Sequence, residues 1–550
     1  MSLLDWVVML SVLGGIVIYG AWKTKQENSL SQFILGDQSN TWWKVGFAVM
    51  ATQASAITFI STTGQGFTDG LRFVQFYFGL PLAMIVICIT FIPRFYKMGV
   101  YTAYEYLEHR FDLRTRLLAA LIFLIQRGMA AGITLYAPSI ILSTLFDWNL
   151  QWTHIISGTA VILYTVSGGA NAVTKTQLQQ LLVIFIGMVF IFVYMLFNLP
   201  PSIHFSDILE LSSKSGKMEA VDFSLNFETR YNFWAGITGG FFLALAYFGT
   251  DQSQVQRYLS GKNISESRMG LLLNGILKIP MQVMILFCGV TLFVVYLFIQ
   301  QPLHFNDKAS KTLMNVHPEK WSEWNERNDS LFLDWTRFQE IKQNGTLENQ
   351  LTQIQHDRKQ LQSEVKEYLK IHHPETEVND KDYIFLHYIL HHLPKGFIGL
   401  MIAVILCAAM SSISAELNAL AATSTVDIVK RLFPKWFKNY SESFWSRSLT
   451  IAWGMIAIGF ALYAQLFENL IQFINIIGSL FYGTVLGIFL CAFYSKNLTS
   501  KPVFLSSLIA QITILILFFF TEIGFLWYNV ISCSMVVLIA WLIQKMKFTS

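Results

Sequence analysis

The chain has 550 residues, of which 53% are hydrophobic and only 13% charged, and its formal net charge is +4. A soluble chain of this length would carry about a quarter charged residues, so a soluble globular enzyme is excluded; the net charge says little by itself, and no nucleic-acid partner is expected. What remains is an all-α polytopic membrane protein, with aromatics at 15% of the chain to serve lipid-facing helices and interfacial belts.

Apolar runs long enough to cross a bilayer lie near 3–22, 42–66, 73–97, 115–147, 153–172, 176–199, 233–257, 269–301, 394–426, 446–464, 468–494, 502–520 and 522–544. That predicts about thirteen helices. Within the first run, the stretch Trp6 to Tyr19 has Asp5 before it and Lys23 and Lys25 after it, the wrong polarity for a cleaved signal, so it is read as a retained helix. Threading the runs alternately puts Arg94, Lys97, Arg110, Arg114, Arg257, Arg268, Lys430, Arg431, Lys496 and Lys545 on one side. Positive charge marks the cytoplasmic face, which predicts the N-terminus outside and the C-terminus inside. The five cysteines (Cys88, Cys288, Cys407, Cys491, Cys533) fall in apolar runs and imply no disulfide framework.

The second run, VMATQASAITFISTTGQGF, is punctuated by Thr52, Gln53, Ser55, Thr58, Ser61, Thr62 and Thr63. Unwinding near Ala51–Ser55 would free carbonyls at mid-membrane, as transporters require; an unbroken helix facing a polar crevice is the plainer alternative. Further along lie Tyr77, Arg127, the pair Asp251–Gln252, Lys278 before Pro280, and Gln472 with Asn475. Charges inside a bilayer face a water-filled interior or a partner, so Asp251 and Glu416 are possible counter-charges for Arg127 and Lys278.

Residues 302–393 form a polar insertion holding eight of the eleven histidines. Leu347, Leu351, Ile354, Leu361, Val365 and Leu369 make a broken apolar stripe, which predicts a helical hairpin or cap outside the membrane. His387 and His391 stand one helical turn apart and invite a metal reading. With no cysteine and no compact HExxH pattern beside them, they are read as part of a solvated, histidine-rich cap.

The stretch CAAMSSISAELNALAATSTVDIVK, Cys407–Lys430, carries Ala408, Ser412, Ala415, Ala419 and Ala422 on one lean face, with Ser411 beside it. Such a face lets another backbone approach closely, and paired hydroxyls there can complete an oxygen cage around a small hard cation. The alternative is packing alone, each serine bonded to a carbonyl one turn earlier.

Five stretches, in order, resemble the sodium:solute symporter family and its sodium/glucose and sodium/galactose cotransporters: FIPRFYKMGVYTAYEYLEHRF, YTVSGGANAVTKTQLQQ, GTDQSQVQRYLSGKNISESRMG followed by LKIP, the serine-pair helix, and LIQFINIIGS. The resemblance covers roughly residues 1–300 and 394–500. It implies a LeuT-type core of two inverted five-helix repeats, 42–199 and 233–494. An extra helix and inner linker precede them (1–41), an outer loop joins them (200–232), the insertion 302–393 interrupts the second, and two helices follow (495–550). It implies a transported sodium ion held by the carbonyls of Ala51, Ala54 and Ala408 and the hydroxyls of Ser411 and Ser412. Solute-binding positions fall on Gln53, Thr58, Tyr77, Asp251, Lys278 and Gln472. No enzyme activity and no organic cofactor are implied, and the partners expected are sodium, a small polar solute and the lipid of the cell membrane.

The chain departs from the sugar transporters in Gln53 for an Asn, in Tyr77 for an acidic residue, and in Gln177 where many relatives have Asp. The last predicts one sodium per cycle. A sugar-like solute is favoured, with other polyols, carboxylates or amino acids close behind. Proton coupling through Glu416 and a solute sensor are the competing readings.

Overall fold

The computed structural model describes residues 1–23, 38–341, 347–374, 376–464 and 468–548. They are built into helices. Helix α1 (Leu3–Lys23) precedes a broken pair, α2 (Trp42–Gln53) and α3 (Ala56–Asp69), and a 3-10 turn, Gly70–Tyr77, leads into α4 (Leu80–Met98). The short α5 (Glu105–Arg110) is followed by α6 (Leu113–Thr134), α7 (Tyr136–Phe146), α8 (Leu150–Phe197) and α9 (Phe205–Lys214). A second broken pair, α10 (Gly240–Thr250) and α11 (Gln252–Leu259), precedes α12 (Ile264–Phe298).

The insertion folds as α13 (Asp307–Val316), α14 (Pro318–Ile341), α15 (Leu347–His372) and α16 (Ile384–His392). The bundle then resumes with α17 (Phe397–Thr423), α18 (Glu442–Tyr463), α19 (Leu470–Tyr494), α20 (Ser500–Phe520) and α21 (Leu526–Phe548). The expected hairpin is there: α14 packs on α15, and Leu361, Val365 and Leu369 of the stripe are buried in a small core of their own with Trp324.

Among the described residues, eight helices are long and apolar enough to cross a membrane, and three apolar helices are shorter. That is fewer than the thirteen expected, partly because the runs 42–66 and 73–97 meet in one apolar stretch, Ala56–Met98. The runs 153–172 and 176–199 form one helical stretch, α8, of 48 residues. A straight helix of that length would span about 72 Å. Yet both of its ends meet the insertion: Asp147 pairs with Lys311, and Asn198 donates to the Tyr388 hydroxyl. Lys311 stands one turn from Asp307, which touches His391, one turn from Tyr388. The two ends of the stretch therefore lie on the same side of the bundle.

Small residues set the packing at the centre. Helix α12 runs along both α2 and α3. A methyl group on Gly289 would run into the carbonyl of Thr63, and one on Gly66 into that of Leu286. Only glycine at both positions lets these backbones cross so closely. Helix α17 packs on α1, α6 and α8 and crosses both α2 and α3, so the broken helix lies between α12 and α17.

The two ends of the bundle differ. Asp5 accepts bonds from the backbone of Gly396 and Gly399, which places the start of α1 on the side of the insertion. On the opposite side Arg110 donates to the carbonyls of Ser495, Lys496 and Leu498, and Gln544 near the end of α21 accepts from Thr499.

Candidate functional site

A cavity of about 120 Å³ opens where α2 stops and α3 begins. Ala54 (φ −80°, ψ 64°) and Ser55 (φ −81°, ψ 171°) leave helical geometry, close to where polar density in the second run predicts it. A helix end frees its last carbonyls. Here Ala54 N–H reaches back to Met50 and the Thr58 hydroxyl takes Gln53, 2.8 Å each, while no backbone donor among the described residues takes Ala51. The bond to Gln53 also fixes Thr58 across the gap.

From the α17 side, Ser412 lines the cavity together with Thr52, Gln53 and Ser55. Its hydroxyl donates to the Ala408 carbonyl at 3.1 Å, so its lone pairs stay available. The neighbouring Ser411 hydroxyl is buried and has no hydrogen-bond partner among the described residues, an arrangement that costs free energy unless a ligand satisfies it. The paired serines and the unwound turn are thus brought to one region. Gln177 lies where the structure describes no side chain.

Of the six expected solute positions, Gln53, Thr58, Tyr77 and Lys278 line the central cavity. Lys278 is buried (3% exposed), its ammonium 5.8 Å from the centre of the Tyr77 ring, and no carboxylate among the described residues pairs with it. The other two positions sit elsewhere. Asp251 lies behind the cavity wall and caps α11, accepting from Ser253 N–H at 2.8 Å. Gln472 lines a second, larger pocket of about 590 Å³ on the insertion side.

A buried charge cluster backs the cavity. Arg127 on α6 reaches Glu416 on α17 at 3.1 Å and also pairs with Asp251. The Tyr482 hydroxyl accepts from Arg127 at 2.8 Å and donates to Asp251 at 3.1 Å. One guanidinium thereby joins α6, α17, α19 and the break before α11. The break at Asp251 and the part played by Tyr482 are not apparent from the hydropathy reading. A signal for Tyr482 exists: it follows Asn475 by seven residues, two turns along one helix face, and both line the cavity.

The insertion-side pocket is cationic, with Arg72, Lys217, Arg230 and Lys381 against Asp69 and Glu468. Burial pulls Lys217 down to about 8, which leaves it mostly charged at neutral pH. Aromatic rings separate this pocket from the central cavity. Tyr231 lines the former, Phe76 and Tyr77 line the latter, and Phe73 contacts both Tyr231 and Tyr77, with ring centroids 5.2 and 5.8 Å away.

The opposite side is closed by bonded groups. Arg116 pairs with Asp427 at 2.6 Å and with Glu108 at 2.6 Å, and the Thr102 hydroxyl donates to Asp427 at 2.8 Å. The Gln252 side chain accepts from Ala103 N–H at 3.0 Å. Chemically the site offers oxygen ligands, an unpaired ammonium and access from one side, and it needs no covalent step.

Three comparisons bear on this geometry. A Na+-coupled sialic acid symporter solved in a substrate-bound outward-open state superposes with a TM-score of 0.76 at 21% identity, over 99% of this chain and 98% of that one. At that identity the likeness is one of fold, and the fold is of the LeuT type. The sodium/sialic acid symporter NanT of Aliivibrio fischeri is 24% identical over 99% of this chain and 93% of its own. The human sodium-coupled monocarboxylate transporter 1 is 26% identical over 88% of this chain and 68% of its own. The model of the sodium:solute symporter family matches residues 33–317 and 368–510, and the chain belongs to that family of multi-pass, sodium-coupled membrane transporters.

Proposed function

We propose that the chain imports a small carboxylate-bearing solute together with one sodium ion. The observation that carries this reading is the Lys278 ammonium, buried in the cavity wall with only an aromatic ring beside it. Around the cavity Arg127 and Lys278 offset Asp251 and Glu416, so an added sodium ion leaves one unbalanced positive charge. An uncompensated charge out of water is costly, and a solute anion next to Lys278 restores neutrality in the closed site. A hexose would not. This moves a carboxylate ahead of the sugar-like solute favoured by the sequence.

Two further points support it. The insertion-side pocket carries four basic and two acidic side chains, and Glu219 pairs with Arg72 beside them, which leaves an excess of one positive charge to draw anions toward the path. Two relatives, by their names, handle sialic acid and monocarboxylates.

In this reading the carbonyls of Ala51, Ala54 and Ala408 and the hydroxyls of Ser411 and Ser412 hold sodium. Gln53, Thr58, Tyr77 and Lys278 hold the solute, Asp251 positions Arg127, and Gln472 belongs to the entrance. Each ligand favours one conformer over the other, which couples them. The breaks at Ala54–Ser55 and Asp251 fall in the first helix of each proposed repeat, 42–199 and 233–494. The insertion side faces outward, with the N-terminus outside, the C-terminus in the cytoplasm, and the cell membrane as the location.

The test is uptake into proteoliposomes of a short monocarboxylate, its amide and a hexose, in sodium and in potassium. The acid is carried only in sodium, and the amide at least about tenfold less well. A hydrogen bond to a charged group is worth about 1.5–3 kcal/mol. Lys278→Gln therefore raises the KM for the acid about tenfold to a hundredfold with little change in sodium dependence. Equal uptake of the amide or hexose, or an unchanged KM in Lys278→Gln, overturns the reading.

A further inference from the structure

Away from the transport path, the insertion brings three metal-ligating side chains to one point. Asp307 opens α13, and His387 and His391 lie four residues apart on α16, so both imidazoles leave the same helix face. Their ligand atoms all lie within 4.8 Å of one another. His391 Nε2 stands 2.9 Å from one Asp307 oxygen and His387 Nε2 3.8 Å from the other. A tetrahedral zinc with bonds of about 2.0–2.1 Å sets its ligand atoms about 3.3 Å apart, between those two values. An ion pair between His391 and Asp307 alone does not account for His387, whose Nε2 turns to the same carboxylate.

The surroundings are those of a held ligand. The other nitrogen of His387, Nδ1, shares a hydrogen bond of 2.8 Å with the Tyr296 hydroxyl at the end of α12. Such a partner fixes ring orientation in metal sites. The Phe305 ring stands edge-on to the imidazole at 5.6 Å between centroids. Asp307 is held by the turn that Asn306 caps, with Lys308 N–H donating to the Asn306 side chain at 3.1 Å. The His387 side chain is 12% exposed, Asp307 31% and His391 47%, so the open side leaves an entry path and room for water.

We propose that Asp307, His387 and His391 bind one divalent transition-metal ion of the zinc class, with water completing the coordination. The ion ties α13 to α16. The latter packs on α3, the second half of the broken helix, so the site sits on the roof of the transport domain and is independent of the solute it carries. A second histidine pair, His317 and His373, has its Nε2 atoms 3.2 Å apart but gathers no third ligand within the same reach among the described residues.

The experiment is titration of the purified, metal-free full chain with Zn2+ alone by calorimetry, with Mg2+ in parallel. The wild type binds one Zn2+ per chain, Mg2+ gives no heat, and Co2+ develops the visible absorption of a tetrahedral site. Asp307→Asn and His391→Ala each weaken Zn2+ binding at least about tenfold, while His317→Ala does not. Asp307→Asn keeps the shape of the carboxylate, and an unchanged melting temperature in metal-free buffer shows that it folds. Absence of Zn2+ binding by the wild type, unaltered binding by Asp307→Asn, or a loss that follows His317→Ala instead overturns the assignment.

Discussion

Ser411 and Ser412 are neighbours with opposite hydrogen-bond fates, and the difference separates an ion site from simple packing. Ser412 donates back to Ala408, while the Ser411 hydroxyl is buried with nothing to bond among the described residues. If Ser411 served packing alone, its removal would leave every sodium response intact. If it completes an oxygen cage, Ser411→Ala loses a ligand to the ion yet no bond within the protein. Removing an unsatisfied buried hydroxyl is neutral or stabilising, so the melting temperature in potassium stays the same or rises. The stabilisation by sodium follows RT ln(1 + [L]/Kd), so a Kd raised about tenfold removes about 1.4 kcal/mol of it at saturating salt. Melting curves over a sodium series check this. A sodium shift equal to that of wild type would return Ser411 to packing.

At this scale the sequence was legible wherever polarity stood out from an apolar run. Thr52 to Ser55 and Ser411–Ser412 are such places, and so are Arg127 and Lys278. Pairing was not legible. Nothing in the order of residues says that Arg127 takes both Asp251 and Glu416 while Lys278 is left with the Tyr77 ring. That division depends on how four helices meet.

Among the elements, the crossing of α3 and α12 carries the broken helix, and glycine makes the approach possible. The methyl group of Gly289→Ala would meet Thr63 O, Phe67 N and Gly66 Cα, all backbone atoms that no rotamer change can move aside. Overpacking of this kind costs about 1–3 kcal/mol, and relief requires the helices to part. Gly289→Ala therefore lowers the melting temperature by several degrees and reduces sodium-dependent uptake with it. Gly14→Ala on α1, where a methyl group meets nothing within 4 Å, leaves both unchanged. A silent Gly289→Ala would show that the crossing tolerates separation.

The first helix break was legible because seven hydroxyl and amide side chains crowd the second run. The break at Asp251 was not, although an Asp at the start of a polar helix is an ordinary N-cap signal. Hydropathy windows smooth over a single capping residue. That Asp307 joins the two histidines of the insertion was not legible for a related reason. His387 and His391 could be paired from their spacing, but Asp307 lies 80 residues earlier and reaches them only through the fold of the insertion.

The molecule as a whole holds a large pocket on the insertion side and a bonded network on the other. Helix α6 and the turn Ser424–Val429 that follows α17 meet there through Arg116 and Asp427, whose side chains are 1% and 0% exposed. Opening that side for release must separate them or carry them together. Breaking a buried pair by removing one partner costs about 3–5 kcal/mol because a charge is left uncompensated, whereas neutralising both removes that cost and leaves two groups that can still bond to each other. Arg116→Gln alone therefore leaves Asp427 unpaired in the closed arrangement and shifts the population toward one in which water reaches it. Arg116→Gln with Asp427→Asn restores closure in part, through a neutral hydrogen bond. A cysteine placed at Ala103, beside the network and buried at 0%, reports the shift by its rate of alkylation. That rate rises about tenfold or more in Arg116→Gln and falls back toward the wild-type value in the double variant. If the two substitutions instead add without coupling, the pair is structural ballast, and closure of that side rests on the Gln252 and Thr102 bonds.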